Sequence, residues 1–148
     1  RLKDNSLDKV SLLKITKLIH GKIIDFAPDT IFTHSNCDLN LDHRLVFQAT
    51  LTAARPMKKA SIKRLYSFEI PSSTEWAFGR FSDFSPSMFV DVTTVWAEKM
   101  EVLQCYGKEI LPAPHPRSEE NVTALAKIRG ASVGVHYAEA FETIFNII

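Results

Sequence analysis

The residues most able to do chemistry lie in one short segment, residues 33–44, which contains two histidines, two aspartates and an arginine. Imidazole nitrogens and carboxylate oxygens are common protein ligands of zinc, and the same groups act as general acids and bases. The pair Asp42 and His43 opens a predicted helix beside a strand end, where side chains face the crevice of an α/β sheet. His34 and Asp38 are candidates for further ligands or supporting partners.

The same residues also have purely structural interpretations. Asp42 fits the first turn of a helix, where an acid matches the helix dipole, and His43 fits a solvated or core side chain. Asp38 can form an Asx turn, and His34 can simply end a strand. A catalytic zinc needs three protein ligands, and one Asp-His pair falls short of that number. The segment therefore predicts a site without defining it.

Two other places suggest contacts to a substrate. His115 and Arg117 directly precede a predicted helix whose first amides attract anions, and the Arg117 guanidinium can bind a carboxylate or phosphate. The surrounding prolines and Ser118 also suffice to start that helix without any ligand. Trp76 can stack on a sugar or base, or can anchor its loop by burial. The sequence contains no legible Ser-His-Asp arrangement and no glycine-rich phosphate loop, so covalent catalysis is disfavoured.

The elements that must position these side chains alternate between helices and strands. Apolar residues at helical spacing predict helices, and short runs of β-branched and aromatic residues predict strands. Ser6 or Asp8 is the expected cap of the first helix, and Ser118 is the expected cap of the last. The expected helices cover residues 7–26, 42–55, 93–106 and 118–129, the expected strands cover residues 29–33, 62–70 and 88–92, and residues 137–148 fit either a strand or a short helix.

This alternation predicts a single domain, residues 1–148, with a parallel-containing three-layer α/β architecture. Three or four strands make a small sheet. Because the chain begins with a helix and not with a core strand, the pattern predicts a domain that lacks its first βα units at the N-terminus. A truncated sheet exposes an unpaired edge, so we expect a homo-oligomer or an aggregate if this fragment exists alone.

Composition narrows the possible partners and compartment. Eighteen Lys and Arg against seventeen Asp and Glu give a net charge of +1, so no global field steers the chain toward nucleic acid or an anionic membrane. Cys37 and Cys105 are widely spaced and form no CxxC motif, which suits a reducing compartment, so a cytoplasmic location is expected. No apolar run reaches the length of about 18 residues that a membrane span needs, and residues 1–5 lack the apolar region of a signal peptide.

A series of short motifs runs in order through nearly the whole chain. The series consists of Thr33-His34, the run from Asp38 to Arg44, Ala54-Arg55-Pro56, the run from Tyr66 to Trp76, the run from Phe89 to Val92, the run from Pro114 to Ser118, Arg129-Gly130 and the run from Tyr137 to Phe141. This ordered series resembles the PIG-L/LmbE-type deacetylases, and the order is far more specific than any one motif.

The resemblance implies a zinc-dependent amidohydrolase on a Rossmann-like, largely parallel sheet. Its substrate would be an N-acetylglucosamine-type amino sugar or conjugate, from which it removes the acetyl group. In that family Zn2+ is held by a His and an Asp of an N-terminal His-Pro-Asp-Asp motif and by one later His, which His43 matches. That motif also carries the general base. No His-Pro-Asp-Asp occurs in these 148 residues, so the resemblance implies the C-terminal portion of such an enzyme, inactive without an N-terminal segment.

The resemblance also assigns expected roles to the neighbours of His43. The catalytic candidates are Asp42 and Asn40. Some members have a second His where this chain has Asn40, and an amide can donate to an oxyanion but cannot transfer a proton near neutral pH. The expected substrate-binding residues are Arg44, Asp38, His34, Trp76, His115 and Arg117.

The competing hypothesis is a non-catalytic module that keeps the fold as a sugar-binding or assembly surface. It is motivated by the lack of a general base and of two zinc ligands in the chain. A nucleotide-binding protein is disfavoured because no phosphate loop is present. Under the leading hypothesis the partner is a small-molecule N-acetylated amino sugar or glycoconjugate, with no nucleic acid and no transmembrane segment.

Overall fold

Residues 2–56 and 62–148 are described by a computed structural model, and they divide into two compact units. The first unit runs up to Ser85 and includes Glu142–Ile148, and the second is Pro86–Phe141. That the chain forms a single domain stays a prediction. No helix of these two described ranges is long and apolar enough to cross a membrane.

The helices and strands follow one another in the order that the sequence pattern predicts. The first unit contains α1 (Leu12–Phe26), β1 (Thr30–His34), α2 (Leu41–Ala53) and β2 (Arg64–Phe68), and the second contains β3 (Met88–Asp91), α3 (Trp96–Gln104) and α4 (Glu119–Ala131). Strand β4 (Ala138–Asn146) passes from the second unit into the first. Residues 137–148, for which the sequence allowed either a strand or a short helix, therefore contain a strand.

The start of α1 differs from the prediction. The side chain of Ser11 accepts a hydrogen bond from the Lys14 backbone N–H and caps the helix. Ser6 and Asp8, the expected caps, are wrong because Leu7–Lys9 forms a separate 3-10 turn before the helix begins. The apolar spacing continues through this turn, so periodicity alone could not reveal the break.

Two apolar clusters in the first unit hold α1 against α2 and against the strands. In one cluster Ile15 of α1, which is 3% exposed, packs with the fully buried Ala49 of α2. In the other, Ile23 of α1 and Ile31 of β1 pack against the buried Leu65 of β2. Helix α1 thus packs against α2 through the first cluster and against the β1–β2 pair through the second, while α2 contacts β1 through the Thr33 and Thr50 hydroxyls.

The sheet is mixed and not fully parallel. β1 and β2 pair in parallel, with Thr30 opposite Arg64 and His34 opposite Phe68. β3 and β4 pair in antiparallel orientation, and the strand order is β1-β2-β4-β3. The expected parallel arrangement is therefore only partly right, because hydrophobic patterning marks a strand without encoding its direction.

Helix α4 begins as predicted and extends beyond its expected end. The Ser118 hydroxyl accepts a hydrogen bond of 3.2 Å from the Asn121 backbone N–H. Gly130 lies inside the helix, where a Cβ atom would stand 2.6 Å from the backbone oxygen of Val135. The absence of a side chain at Gly130 is what lets the following turn pack this closely.

This close approach makes Gly130 sensitive to substitution. We expect Gly130→Ala to lower the free energy of unfolding by about 1–3 kcal/mol, because the added methyl group collides with backbone and not with a movable side chain. Gly21→Ala is the matched control, since Gly21 is also helical and, among the described residues outside its own helix backbone, no atom lies within 4 Å of an added Cβ. There we expect a gain of about 0.5–1 kcal/mol. Urea denaturation measures both, and equal effects would contradict the packing at Gly130.

Candidate functional site

The site lies where β1 ends and α2 begins, within the first unit. β1 ends at His34, the loop of residues 35–40 turns the chain, and α2 starts at Leu41. The imidazole rings of His34 and His43 stack there, with centroids 4.3 Å apart and planes 24° from parallel. His34 also lies 5.2 Å from the ring of Phe68 on β2. The structure thus brings together the two histidines on which the sequence prediction rests.

Asp38 connects the loop to both sides of the site. Its side chain is 0% exposed, and Oδ2 lies 3.0 Å from Nδ1 of His43. Oδ1 accepts a 2.8 Å hydrogen bond from the Asn40 backbone N–H and another from the Ser73 hydroxyl. The Thr74 hydroxyl donates to Oδ2 at 3.4 Å. One buried carboxylate therefore fixes the start of α2 and the loop after β2.

The surroundings of Asp38 keep it ionised. Burial alone would raise the pKa of this carboxyl, but contacts from His43, Ser73 and the Asn40 backbone outweigh burial and hold the pKa below its usual value. Nδ1 of His43 lies 3.0 Å from Oδ2, within ion-pair distance, although the angle does not meet that of a straight hydrogen bond among the described residues. The carboxylate thereby favours the His43 tautomer with its proton on Nδ1.

This arrangement matches how proteins prepare a histidine to bind a metal. Metal-ligating histidines usually hold one ring N–H against a carboxylate, which leaves the other nitrogen for the metal. The His43 side chain is 22% exposed, so the ring is accessible. It borders a groove of about 880 Å³ that runs along α1. The polar wall of the groove includes His34, Asp42 and His43, and its apolar wall includes Leu7, Ile15, Leu18, Ile19 and Val46.

His34 is an uncharged partner in this pair. Burial is the main cause that lowers the pKa of His34, to about 4, and the positive charge that His43 can carry lowers it as well. The negative charge of Asp38 raises this pKa but offsets the two lowering effects only in part. Its buried Nδ1 atom has no hydrogen-bond partner among the described residues. His34 is therefore neutral at pH 7 and does not serve as a general acid there.

The lowered pKa of His34 predicts how stability depends on pH. The unfolded chain, with a His pKa near 6.5, binds this proton more readily than the folded chain does. The stabilisation is complete above about pH 6.5 and is lost as the pH falls toward 4. We expect this loss to be about 2–3 kcal/mol, measured by urea unfolding at several pH values.

Two variants isolate the His34 contribution. His34→Phe keeps an aromatic ring against Phe68 and removes the titrating group, so the pH dependence between 6.5 and 4 should flatten. His20→Gln, at an exposed position on α1, should leave the dependence as in the unmodified chain. A slope that survives His34→Phe unchanged would show that another group is responsible.

The two catalytic candidates, Asn40 and Asp42, make local structural contacts. The Asn40 side chain caps α2 by accepting a 2.9 Å hydrogen bond from the Asp42 backbone N–H. The Asp42 carboxylate accepts hydrogen bonds from the backbone N–H groups of Ser6 and Leu7, at 3.1 and 3.0 Å. Asp42 thus ties the N-terminal turn to α2, and the catalytic roles of both residues stay predictions.

Arg44 holds the site loop in place. Its guanidinium donates to the backbone oxygens of Asp38 and Leu39, both at 2.6 Å, and lies 4.0 Å from the ring centroid of Phe81. These contacts satisfy two carbonyls of the loop with one charged group. The expected substrate-binding role of Arg44 stays a prediction beside this structural role.

The remaining expected substrate contacts lie elsewhere. Trp76 is in a 3-10 turn, Glu75–Ala77, and is 40% exposed, so it is not fully buried as a loop anchor. His115 and Arg117 form a cluster of their own in the second unit, where His115 Nδ1 accepts a hydrogen bond from the Arg117 backbone N–H. The Arg117 guanidinium pairs with Glu109. None of these contacts tests the predicted binding roles.

Sequence reasoning missed a second carboxylate that supports the site loop. Glu142 accepts hydrogen bonds from the hydroxyls of Ser35 and Ser67, at 3.2 and 2.8 Å, and from the Ser85 backbone N–H at 2.9 Å. Ser35 and Ser67 are both fully buried. Ser35 in turn accepts the Cys37 backbone N–H. Glu142 lies 107 positions beyond Ser35, and no local pattern announces such a contact.

Comparison with solved structures defines the class of the fold. A conserved protein from Thermus thermophilus matches 99% of this chain over 64% of its own, with a TM-score of 0.76 and 17% identity. 4-Carboxy-2-hydroxymuconate hydratase from Pseudomonas putida matches 100% of the chain over 61% of its own, with a TM-score of 0.63 and 22% identity. N,N'-diacetylchitobiose deacetylase from Pyrococcus horikoshii matches 97% of the chain over 55% of its own, with a TM-score of 0.69 and 15% identity.

These matches confirm the Rossmann-like α/β fold class. Because the identities are low, they show the fold and not the activity. Two of the three similar proteins are named as enzymes, a hydratase and a sugar deacetylase. The chain spans between 55% and 64% of the length of these structures. No family model and no curated protein matches the sequence.

Proposed function

We propose that this chain takes part in the zinc-dependent hydrolysis of the N-acetyl group of an N-acetylglucosamine-type amino sugar or conjugate. The observation that carries the proposal is the buried Asp38 carboxylate 3.0 Å from Nδ1 of His43, beside a groove that can admit a ligand. The fold that the chain shares with a chitobiose deacetylase supports it. In this proposal His43 is one zinc ligand.

The residues of this chain do not fit a complete zinc site. Within residues 2–56 and 62–148 there is no group of three or more His, Cys, Asp or Glu placed to hold a metal ion. A catalytic zinc requires three protein ligands, so His43 supplies one and the others must come from outside these 148 residues. Under this proposal the chain forms part of an active site, and a catalytic reaction requires the whole of it.

The chain's own residues would prepare and shape that site. Asp38 holds the His43 ring in one orientation and one tautomer, which lowers the cost of binding at the other nitrogen. His34 stacks on His43 as a neutral ring and can give or take one hydrogen bond without adding charge. Because His34 is not protonated at pH 7, the proton for a leaving amine must come from another group.

A non-catalytic role is the second candidate function. The described part of the chain has no group of three metal-binding side chains, and this favours a non-catalytic role. A retained fold and groove can bind a sugar without hydrolysing it. In that case Asp38 and His43 serve binding and loop structure only. The two candidates differ in whether zinc and acetate release accompany sugar binding.

Acetate release from N-acetylglucosamine conjugates, together with zinc analysis, tests the proposal. The polypeptide should be used as it is encoded in full, since the chain spans little more than half of the deacetylase it resembles in fold. We expect about one zinc per polypeptide and release of acetate with a free amine. Sugar binding without zinc and without acetate, also after addition of zinc, would support the binding module and overturn the deacetylase proposal.

A further inference from the structure

A turn that carries exposed aromatic rings follows β2 and is held at both ends by the loop of the candidate site. This aromatic turn comprises residues 75–81. Just before it, the Ser73 hydroxyl donates a hydrogen bond to the Asp38 carboxylate. At its far end, the centroid of the Phe81 ring lies 4.0 Å from the Arg44 guanidinium. The aromatic turn is therefore fixed against the same loop that positions the start of α2.

Phe78, within the aromatic turn, is unfavourable for the isolated chain in two ways. Its φ angle is +49°, in the left-handed region that favours glycine and that bulky side chains rarely adopt. Its side chain is 84% exposed, so the ring gains little of the free energy that burial gives to an apolar group. Backbone strain of this kind concentrates at sites that hold a ligand. The two features together indicate a residue whose ring contacts a bound molecule.

The neighbours of Phe78 indicate what kind of molecule that is. Trp76 and Phe81 are also exposed aromatic residues, and the charged residues Glu75, Arg80 and Asp83 are exposed among them. A pyranose ring has an apolar C–H face that stacks on an aromatic ring, and hydroxyl groups that bind carboxylates and guanidinium groups. A wholly apolar partner would bury these charged groups without hydrogen bonds, which is costly. The mixture of side chains therefore favours a sugar.

The aromatic turn also lies within reach of the candidate site. Phe78 comes three residues before Phe81, so their Cα atoms are at most about 11 Å apart. The Arg44 guanidinium beside Phe81 donates to the Asp38 backbone oxygen at 2.6 Å, and the Asp38 carboxylate is 3.0 Å from His43. One extended substrate of more than one sugar can contact both places.

We propose that Phe78 stacks on a further sugar ring of the substrate, beside the sugar that carries the acetyl group. The aromatic turn then selects glycoconjugates of two or more sugars over a single amino sugar. This inference rests on the proposed function, because it takes the acetylated sugar to bind at His43. Phe78 is a specificity-determining residue and touches no reacting atom.

Affinities for a disaccharide and a monosaccharide test this role in the polypeptide as encoded in full. The probes are N,N'-diacetylchitobiose and N-acetylglucosamine, and the fluorescence of Trp76 reports binding immediately after mixing. In Phe78→Ala we expect the affinity for the disaccharide to fall about three- to tenfold, and the affinity for the monosaccharide to stay within about twofold. Phe78→Tyr keeps the ring and should keep the disaccharide affinity. Phe26→Ala is the matched control, because Phe26 is 79% exposed at the end of α1 and should change neither affinity.

Phe78→Gly separates sugar binding from folding. Glycine adopts the left-handed conformation without strain, so the urea midpoint should stay the same or rise. The disaccharide affinity should fall as it does in Phe78→Ala. A lower urea midpoint with an unchanged affinity would show that the ring supports the fold, and it would overturn the proposal.

The remaining outcomes distinguish this proposal from deacetylation itself. Equal disaccharide affinities in Phe78→Ala and the unmodified chain, or no disaccharide binding by either, would overturn the role of Phe78 even if acetate is released. Loss of self-association in Phe78→Ala, measured by light scattering with the affinity unchanged, would also overturn it by assigning the ring to a contact between copies. Sugar binding that depends on Phe78 without acetate release would support the stacking and overturn only the deacetylase proposal.

Discussion

Asp38→Asn is expected to lower the free energy of unfolding by about 3–5 kcal/mol. The carboxylate is fully buried and accepts from the Ser73 hydroxyl and the Asn40 backbone N–H. An asparagine amide keeps one acceptor oxygen but places an NH2 group where Oδ2 faces His43 and the Thr74 hydroxyl, so both of these groups must change from donor to acceptor. The negative charge that the surrounding donors stabilise is also lost, which is the larger cost at a buried position.

Urea denaturation of the two forms measures this difference. Asp25→Asn is the matched control, because the Asp25 side chain is 63% exposed and pairs with Lys22 on the same helix. We expect the control to stay within about 0.5 kcal/mol of the unmodified chain. If Asp38→Asn were as mild as Asp25→Asn, the buried network around Asp38 would have no energetic importance.

A spectroscopic measurement separates the positioning of His43 from general stability. With Asp38 in place, the His43 ring should carry its proton on Nδ1, and 15N chemical shifts of the imidazole report this tautomer. In Asp38→Asn the preference should weaken or reverse in the fraction that remains folded. A His43 tautomer unaffected by the substitution would show that Asp38 supports the loop and not the ring.

His43→Ala is expected to abolish tight zinc binding and acetate release in the polypeptide as encoded in full. Removing one of three protein ligands leaves too few donors to hold the ion, so zinc should fall from about one per polypeptide to near zero. Acetate release should fall at least about 100-fold, and Asp38→Asn should weaken zinc binding by about 10–100-fold, as the loss of a carboxylate behind a metal-binding histidine does.

The control for this prediction is His20→Ala. His20 is exposed on α1, so its replacement should change neither zinc content nor acetate release. Zinc content that is unchanged in His43→Ala would refute the ligand assignment. Zinc loss with folding intact, checked by circular dichroism, would support it and exclude simple unfolding as the cause.

Local patterns in the sequence predict most of the elements and the place of the site. The capping serine of α4, the strand before His34 and the helix after it all appear within a few residues of their expected positions. These features depend on neighbouring residues, because capping and helical periodicity act over three to four positions. The cap of α1 is the exception, since a separate turn precedes that helix.

The contacts that organise the site could not be read in the same way. Ser73 belongs to a hydroxyl-rich loop that the sequence marks as polar, but its partner, Asp38, lies 35 positions away. Glu142 contacts Ser35 from β4, a segment for which the sequence allowed either a strand or a short helix. Such pairs form only after strands have adopted an order, and no local energy term specifies that order.

The sequence by itself determined the α/β class, the chemical types present between Thr33 and Arg44, and the absence of a His-Pro-Asp-Asp motif from these 148 residues. Only the tertiary structure decided how those residues are used. In the structure the Asn40 side chain caps α2, and Asp42 binds the backbone of the N-terminal turn. The His34 ring stacks on the His43 ring, and the buried Asp38 carboxylate lies beside His43. The physical reason is that burial and long-range contacts, which set tautomers and pKa values, arise from packing between elements distant in the chain.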